Sequence, residues 1–286
     1  MKRLNIQELK KLGRDRLEEK QVEDSSHKAD ILLQFFLKMK KTWLVIHMQE
    51  TVEEEKVTKY LNAIEEVIGG KPVQYITNEQ SFMNLKFYVD ENVLIPQPDT
   101  EDLVETALTE VDKTIKILDL CTGSGAIAVA LEHFLEAKEV EIVATDISEK
   151  ALEIAKKNAI SNNANTKIKF IQSDLFAQIP KQKFDLIVSN PPYIETETIK
   201  TLSKEVQNEP KIALDGGEDG LAFYRRIAKE AFDYLEYGGK LLLEIGYNQK
   251  EKVMALLQKE KKYVNIRCIK DFENRDRVIM AEKLKR

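Results

Sequence analysis

Apolar residues recur at three-to-four-residue spacing through the first 70 positions: Leu9 and Leu12, then Ile31, Leu32, Phe35, Phe36 and Met39. That period belongs to helices burying one stripe, and it predicts a small helical bundle. Thr51-Val52-Glu53-Glu54 has the form of a capping box and predicts a helix whose inner face is Val57, Tyr60, Leu61, Ile64 and Ile68. Gly69-Gly70 closes that helix, with Pro72 just beyond. Glu53-Glu54-Glu55 suits a helix N-terminus facing solvent, and Trp43, with Leu44, Val45 and Ile46, reads as bundle core.

Between Tyr75 and Ile95 the pattern shortens to Ser81-Phe82-Met83 and Lys86-Phe87-Tyr88-Val89, separated by Asn84-Leu85, which predicts a hairpin linker. From Pro96 onward apolar strands alternate with helical text. The strands predicted are Thr114 to Leu120, Val140 to Thr145, Lys167 to Gln172, Phe184 to Ser189 and Gly239 to Ile245. This rhythm implies a doubly wound parallel sheet. Tyr263 to Lys270 and Arg277 to Glu282 read as closing strands, the last antiparallel. The organisation expected is a bundle over residues 1–74, a hairpin linker over 75–95 and an α/β domain over 96–286.

The chain has 286 residues, 43% hydrophobic and 33% charged, enough for a sizeable core. Its net charge of −5 includes a balanced N-terminal part, where residues 1–80 hold 14 basic and 14 acidic side chains. Such a balance argues against affinity resting mainly on phosphate contacts. Cys121 and Cys268 make no disulfide framework, and His27, His47 and His133 lack metal-ligand spacing, so no metal is expected. With no apolar run near the ~18 residues of a membrane span and no signal-peptide pattern at the start, the expected address is the cytoplasm, with no membrane partner.

The strand Ile115 to Leu120 runs into Cys121-Thr122-Gly123-Ser124-Gly125 and then a helix from Ala126. Glycines at 123 and 125 allow a tight turn and a close ligand, and the helix offers free N–H groups. Asp146 ends the second strand 21 residues after Gly125, where an acid accepts ribose hydroxyls. Gly123-x-Gly125-x-x-Ala128 also satisfies the looser dinucleotide fingerprint, so the loop alone leaves both ligands open. Asp119 inside an apolar strand needs loop N–H groups or a ligand amine, such as that of adenosylmethionine. After the third strand, Asp174 would take an adenine amino group, with Leu175 and Phe176 flanking its ring.

Ser189-Asn190-Pro191-Pro192-Tyr193 ends the strand Phe184 to Val188, on the sheet edge that holds the cofactor loop. Prolines carry no N–H, so this loop presents carbonyls and withholds donors. A planar amino group would give one N–H to the Asn190 side-chain oxygen and one to the Pro191 carbonyl, with Tyr193 stacked on the plane. That grip aims the nitrogen at a methylsulfonium.

These strings make the sequence similar to class I adenosylmethionine-dependent methyltransferases with an Asn-Pro-Pro-Tyr motif, and more closely to the release factor glutamine methyltransferases, the HemK/PrmC family. The resemblance extends to Gly70-Lys71-Pro72-Val73-Gln74-Tyr75-Ile76, Leu94-Ile95-Pro96-Gln97-Pro98-Asp99-Thr100-Glu101, Glu209-Pro210, Ala213-Leu214-Asp215-Gly216-Gly217, Asp219-Gly220-Leu221 and Arg275-Asp276-Arg277-Val278. It implies an α/β fold with a Rossmann-like seven-stranded class I methyltransferase sheet, a small N-terminal helical bundle and a β-hairpin linker. The implied reaction is methylation of the side-chain amide nitrogen of the glutamine in the Gly-Gly-Gln tip of class I peptide chain release factors. S-adenosyl-L-methionine would be held by Cys121 to Gly125, Asp146, Leu175 and Asn190, and the bundle would help recognise the release factor. A monomer is expected. Gln97 stands where the family usually has Arg, Cys121 where it often has Gly, and Leu175 where it often has an aromatic residue.

Adenine-N6 DNA methyltransferases carry the same socket, since an exocyclic amine resembles a carboxamide. A duplex-binding enzyme needs a basic groove or separate recognition domain, and the extra domain here is charge-neutral, so DNA is not the expected partner. A ribosomal-protein glutamine methyltransferase is the nearer alternative. A cofactor-binding module without catalysis would require a damaged socket. Asp215-Gly216-Gly217 reads as a turn shaping the pocket rim.

Overall fold

The first helix owes its start to a capping box at Asn5 and Glu8. The Asn5 side chain accepts from the Glu8 N–H at 2.8 Å, and Glu8 Oε2 accepts from the Asn5 N–H at 3.1 Å. The computed structural model describes residues 4–111, 114–135, 139–164 and 166–284. The chain divides into two units, one comprising residues 1–78 with 203–208, the other 79–202 with 209–286.

The helical unit contains α1 (Ile6–Glu19), α2 (Ser25–Leu37), α3 (Lys41–Ile46), α4 (Glu54–Ile68) and α5 (Val73–Thr77). Its core gathers Leu9, Leu17, Leu32, Leu33, Tyr60 and Ile64, all essentially inaccessible to solvent. The capping box expected at Thr51 does not form. Thr51 instead pairs with Asn5 in an antiparallel bridge and Val52 donates to Leu4, so the chain stays extended until Glu53 opens α4. Gly69-Gly70 does end that helix: at φ +101 Gly70 turns the chain so that its N–H reaches Val67 O and the Lys71 N–H reaches Glu66 O. Trp43 is not core. Only Leu44 of that segment is buried, while Trp43, Val45 and Ile46 are exposed and the indole lies stacked on His47. Periodicity finds an apolar stripe but not the absence of a partner for a helix as short as α3.

In the second unit β1 (Gln80–Phe82) and β2 (Leu85–Phe87) form an antiparallel hairpin with Phe82 opposite Leu85. Its turn is Met83-Asn84, both at positive φ, and not Asn84-Leu85. A two-residue hairpin loop requires two left-handed residues, and Leu85 is taken by the ladder. The boundary between units follows Asn78 and not residue 74, and the hairpin belongs to the second unit.

Beyond a 3₁₀ turn at Pro98–Thr100 come α6 (Glu101–Thr109), β3 (Thr114–Leu120), α7 (Ala126–Phe134), β4 (Glu139–Asp146), α8 (Glu149–Ser161), β5 (Ile168–Gln172) and β6 (Phe184–Ser189). Then follow α9 (Thr196–Ile199), α10 (Lys204–Gln207, counted with the first unit), α11 (Lys211–Leu214), α12 (Ala222–Tyr234), β7 (Leu235–Glu244), α13 (Lys250–Lys259), β8 (Tyr263–Lys270) and β9 (Asp276–Lys283). The seven strands β3 to β9 lie in the order β5-β4-β3-β6-β7-β9-β8, and β9 alone pairs antiparallel, to both its neighbours. β7 starts at Leu235, four residues before the expected Gly239, because Phe184 pairs with Leu235 ahead of a register shift.

Two apolar cores cover the two faces of the sheet. Along β3, Ile115 and Ile117 enter one, while Leu118 and Leu120 enter the other, as the two-residue period of a strand requires. The chain order reverses between β3 and β6, so the crevice beyond their C-terminal ends is the switch point where open α/β sheets bind ligands. Among the described residues no helix is long and apolar enough to cross a membrane.

Candidate functional site

Asp119 shares its strand face with Ile117 and is wholly buried. Thr122 Oγ1 donates to its Oδ2 at 2.6 Å, and the Ala128 N–H at the start of the next helix also acts on the carboxylate. Burial pushes the carboxyl up to about 7, against the opposite pull of the Thr122 bond. The loop beyond it is left-handed at three positions, Cys121, Gly123 and Gly125, with φ of 60°, 55° and 81°. A Cβ on Gly125 would stand 3.0 Å from Ala155 Cβ, but one on Gly123 would meet nothing within 4 Å. Gly125 is therefore needed for packing, and Gly123 for the open space above it.

Asp146, at the end of β4, spans the loop and the next helix: Oδ2 accepts from the Gly123 N–H at 2.9 Å and Oδ1 from the Ser148 N–H at 2.9 Å. Burial raises its pKa, and those two N–H groups oppose the rise. Its main-chain oxygen also accepts from Ser173, tying β4 to the loop after β5. There Ser173 Oγ donates to Leu175 O at 2.6 Å and holds Leu175 at φ +49, buried against the cavity. Phe176 turns away, stacked on Tyr234 in the core. Asp174 is paired with Arg226 at 2.8 Å, so part of the carboxylate expected to meet an adenine amine already has a partner.

At the end of β6, Ser189 Oγ donates to Leu120 O at 2.8 Å, lashing the two central strands together. Asn190 Nδ2 donates to Thr100 Oγ1 at 3.1 Å. The Tyr193 ring packs against the core that contains Leu243 and Ile245, with its hydroxyl at Glu244. That placement differs from the expected stacking on an acceptor plane, in that the ring gains apolar burial beneath the loop. The backbone after it is braced, with Gln249 Nε2 donating to Tyr193 O at 2.9 Å and the Gly216 N–H to Ile194 O at 2.8 Å. A Cβ on Gly216 would come within 2.7 Å of Tyr193 Cα, which accounts for glycine at this turn.

These elements enclose a cavity of about 240 Å³ whose wall includes Cys121, Gly123, Asp146, Leu175, Asn190 and Pro192, with Asp174 and Arg226 at one side. Asp119, Thr122, Ser124 and Gly125 stand behind that wall, and Pro191 and Tyr193 are outside it among the described residues. Burial raises the Cys121 thiol far above its usual range, which disfavours a thiolate nucleophile. Gln97 is exposed and turned back, donating to Ile95 O at 3.0 Å, so it leaves no side chain toward the cavity. Glu209 Oε2 accepts from the Ile95 N–H at 2.9 Å and fixes the segment that carries Val93 and Leu94 to the wall. Thr100, Asn158, Arg226, Glu244 and Gln249 carry no motif-like spacing that names them as site residues, although Thr100 falls inside one of the family-like strings.

Residues 98–218 match the model of the methyltransferase small domain, and residues 8–77 match the PrmC N-terminal domain. A release factor glutamine methyltransferase of Clostridium acetobutylicum is 40% identical over 258 residues, covering 88% of this chain and 90% of its own. One from Streptococcus pneumoniae is 41% identical over 244 residues, covering 84% and 86%. Among solved structures, a methyltransferase from Pyrococcus furiosus superposes with a TM-score of 0.55 at 21% identity, over 78% of this chain and 98% of that one, a likeness of fold.

Proposed function

The chain belongs to the release factor glutamine methyltransferases, and from that membership we propose that it transfers a methyl group from S-adenosyl-L-methionine to the side-chain amide nitrogen of the glutamine in the Gly-Gly-Gln tip of class I peptide chain release factors. The observation that carries the reading is the pairing, at one sheet switch point, of the open Gly123 cradle with the donor-free loop Asn190-Pro191-Pro192.

The residues fit the cofactor. Behind the loop the buried Asp119 carboxylate would serve an amine directly or through water, and the space above Gly123 lets a ligand approach the backbone. Asp146 would take the ribose hydroxyls, Leu175 would cover one side of the adenine, and Asp174 would share its carboxylate between Arg226 and the adenine amine. When bound, S-adenosyl-L-methionine supplies an electrophilic methyl carbon on a sulfonium.

The protein's own part is positioning. Asn190 Oδ1 and the Pro191 carbonyl each accept one N–H of the glutamine amide, holding its plane and turning the nitrogen toward the donor. Two such bonds net only ~1 kcal/mol each, while holding two reactants in attack geometry supplies roughly 7–11 kcal/mol. No strong base is required, because the nitrogen becomes positively charged as the N–CH3 bond forms and the S–CH3 bond breaks, and with its second carbon substituent it then loses a proton readily. The helical unit is the part assigned to gripping the release factor. The test is tritiated-methyl transfer to a purified release factor and to one whose tip glutamine is replaced, with ribosomal protein and DNA as parallel acceptors. Label is expected on the intact release factor alone, and label confined to DNA would overturn the reading.

A further inference from the structure

Along α12 the residues Tyr224, Ile227, Ala228 and Ala231 are buried, spaced as the single stripe of a helix that packs on a core. Phe223 and Arg226 each precede a member of that stripe by one position, so they flank it, and both reach the wall of the cavity. An arginine thus stands in a wall that is otherwise mostly apolar at this end, with Leu175, Phe223 and Ile147 contributing to it.

The two neighbouring arginines of this helix are engaged differently. Arg225 spends both terminal nitrogens on Asp219, Nη1 on Oδ1 at 3.0 Å and Nη2 on Oδ2. Arg226 gives one bond, from Nη1 to Asp174 Oδ1 at 2.8 Å, and its Nε stands 4.0 Å from Glu230, beyond hydrogen-bond reach. A guanidinium carries five N–H groups and a carboxylate two oxygens, so this pair retains N–H donors on one partner and Oδ2 on the other. The Arg226 and Asp174 side chains keep 41% and 47% of their surface open, so packing does not seal the pair and a bound base can reach both. An acceptor and a donor therefore stand side by side in the cavity wall.

The edge of adenine has the reverse arrangement. Its exocyclic NH2 donates, and the ring nitrogens flanking that group, N1 and N7, accept. Hypoxanthine carries a carbonyl in place of the amine, which would set acceptor against acceptor at Asp174.

We propose that Arg226 is a base-reading residue: while Asp174 takes the adenine amine, an Arg226 N–H bonds a ring nitrogen beside that amine, and the two side chains together select a 6-aminopurine in the cofactor. The proposal rests on the cofactor reading given above and adds a second polar contact to it.

The test is a binding cycle on the whole protein, read by calorimetric titration with no acceptor present. The ligands are S-adenosyl-L-homocysteine, its 1-deaza and 7-deaza analogues, in each of which one ring nitrogen is replaced by C–H, and S-inosyl-L-homocysteine. The wild type should bind the inosyl ligand at least about ten-fold more weakly than the adenosyl one, and should lose about five-fold with one of the two deaza analogues. Arg226→Met keeps an apolar stem and removes every N–H. It should weaken S-adenosyl-L-homocysteine by the same factor, yet bind the sensitive deaza analogue as well as the wild type does, because the bond is already absent from that pair. An arginine that merely holds Asp174 in place predicts an equal loss on all the adenine-type ligands, and that outcome would overturn the proposal. A wild type indifferent to both deaza substitutions would overturn it as well. Failure to bind S-adenosyl-L-homocysteine at all would sink this proposal together with the cofactor reading, whereas binding without methyl transfer to any release factor would sink the substrate assignment alone and leave the cycle to decide this one.

Discussion

Asn158 Nδ2 donates to the main-chain oxygen of Ser124 at 2.9 Å, joining the middle of α8 to the cofactor loop. The same side chain closes a pair of bonds with Tyr88, accepting from its N–H at 2.7 Å and donating to its oxygen at 3.0 Å. One fully buried amide thus ties the loop to the segment after the hairpin. Asn158→Ala strands three main-chain groups, one of them buried and two part-buried, so it should cost about 2–4 kcal/mol of unfolding free energy and weaken S-adenosyl-L-methionine binding by roughly ten-fold. Urea unfolding and calorimetric titration check the two arms. Unchanged cofactor affinity would refute the loop-holding role.

The two loop glycines should fail differently. Gly125→Ala drives a Cβ to 3.0 Å from Ala155 in a helix–helix contact, on top of about 1 kcal/mol for a left-handed alanine, and should lower the melting temperature. Gly123→Ala meets no protein atom and should fold with only the backbone cost, yet its methyl enters the space the cofactor needs. Intact melting with lost cofactor binding in Gly123→Ala is the expected pattern, read by thermal shift with and without the ligand.

Asn190→Ala should keep cofactor binding within several-fold and abolish most methyl transfer to a release factor, since positioning carries the rate. Single-turnover transfer with saturating cofactor measures it. Retained turnover would mean that the acceptor amide is held elsewhere.

In the helical unit Gly13 faces the Tyr60 ring, and an added Cβ would overlap the phenol oxygen. Tyr60 is fully buried and cannot swing out without opening the core made with Leu9 and Ile64. Gly13→Ala should therefore destabilise the unit by about 1–3 kcal/mol despite the better helix propensity of alanine. Urea unfolding followed by helical circular dichroism reads the outcome, and a more stable variant would show that the ring has room to move.

The strands of the sheet were legible because a parallel strand covered on both faces reads as a mostly apolar run, broken only by Lys116 and Asp119 in Ile115 to Leu120 and by Asp185 in Phe184 to Val188. The glycine loop, Asp146 and Asn190 were legible because close ligand approach and strand-end acids have a spacing. Asn158 was not, because a polar residue within a helix looks like surface until its distant partner, Ser124, is brought to it. Trp43 misled for the converse reason: apolar character marks a residue that prefers burial, and α3 is too short to bury more than Leu44.

Asp119 gives the apoprotein a pH dependence with an unusual sign. Burial raises its pKa from 3.8 to about 7 in the folded chain, with the nearby Asp146 adding to the rise. Between those values the native state holds a proton that the unfolded chain has released, so stability falls as pH rises through the window and levels off above about 7. Each unit of pH inside it carries at most about 1.4 kcal/mol. In Asp119→Asn the proton is no longer exchangeable and that slope vanishes, whereas Glu244, also raised to about 7, titrates in both proteins and drops out of their difference. The wild-type minus Asp119→Asn unfolding free energy, measured by urea at intervals from pH 4.5 to 8, should therefore decline and then flatten. A difference that stays constant across the range would mean that Asp119 is ionised throughout, and that water or a loop N–H already satisfies its second oxygen.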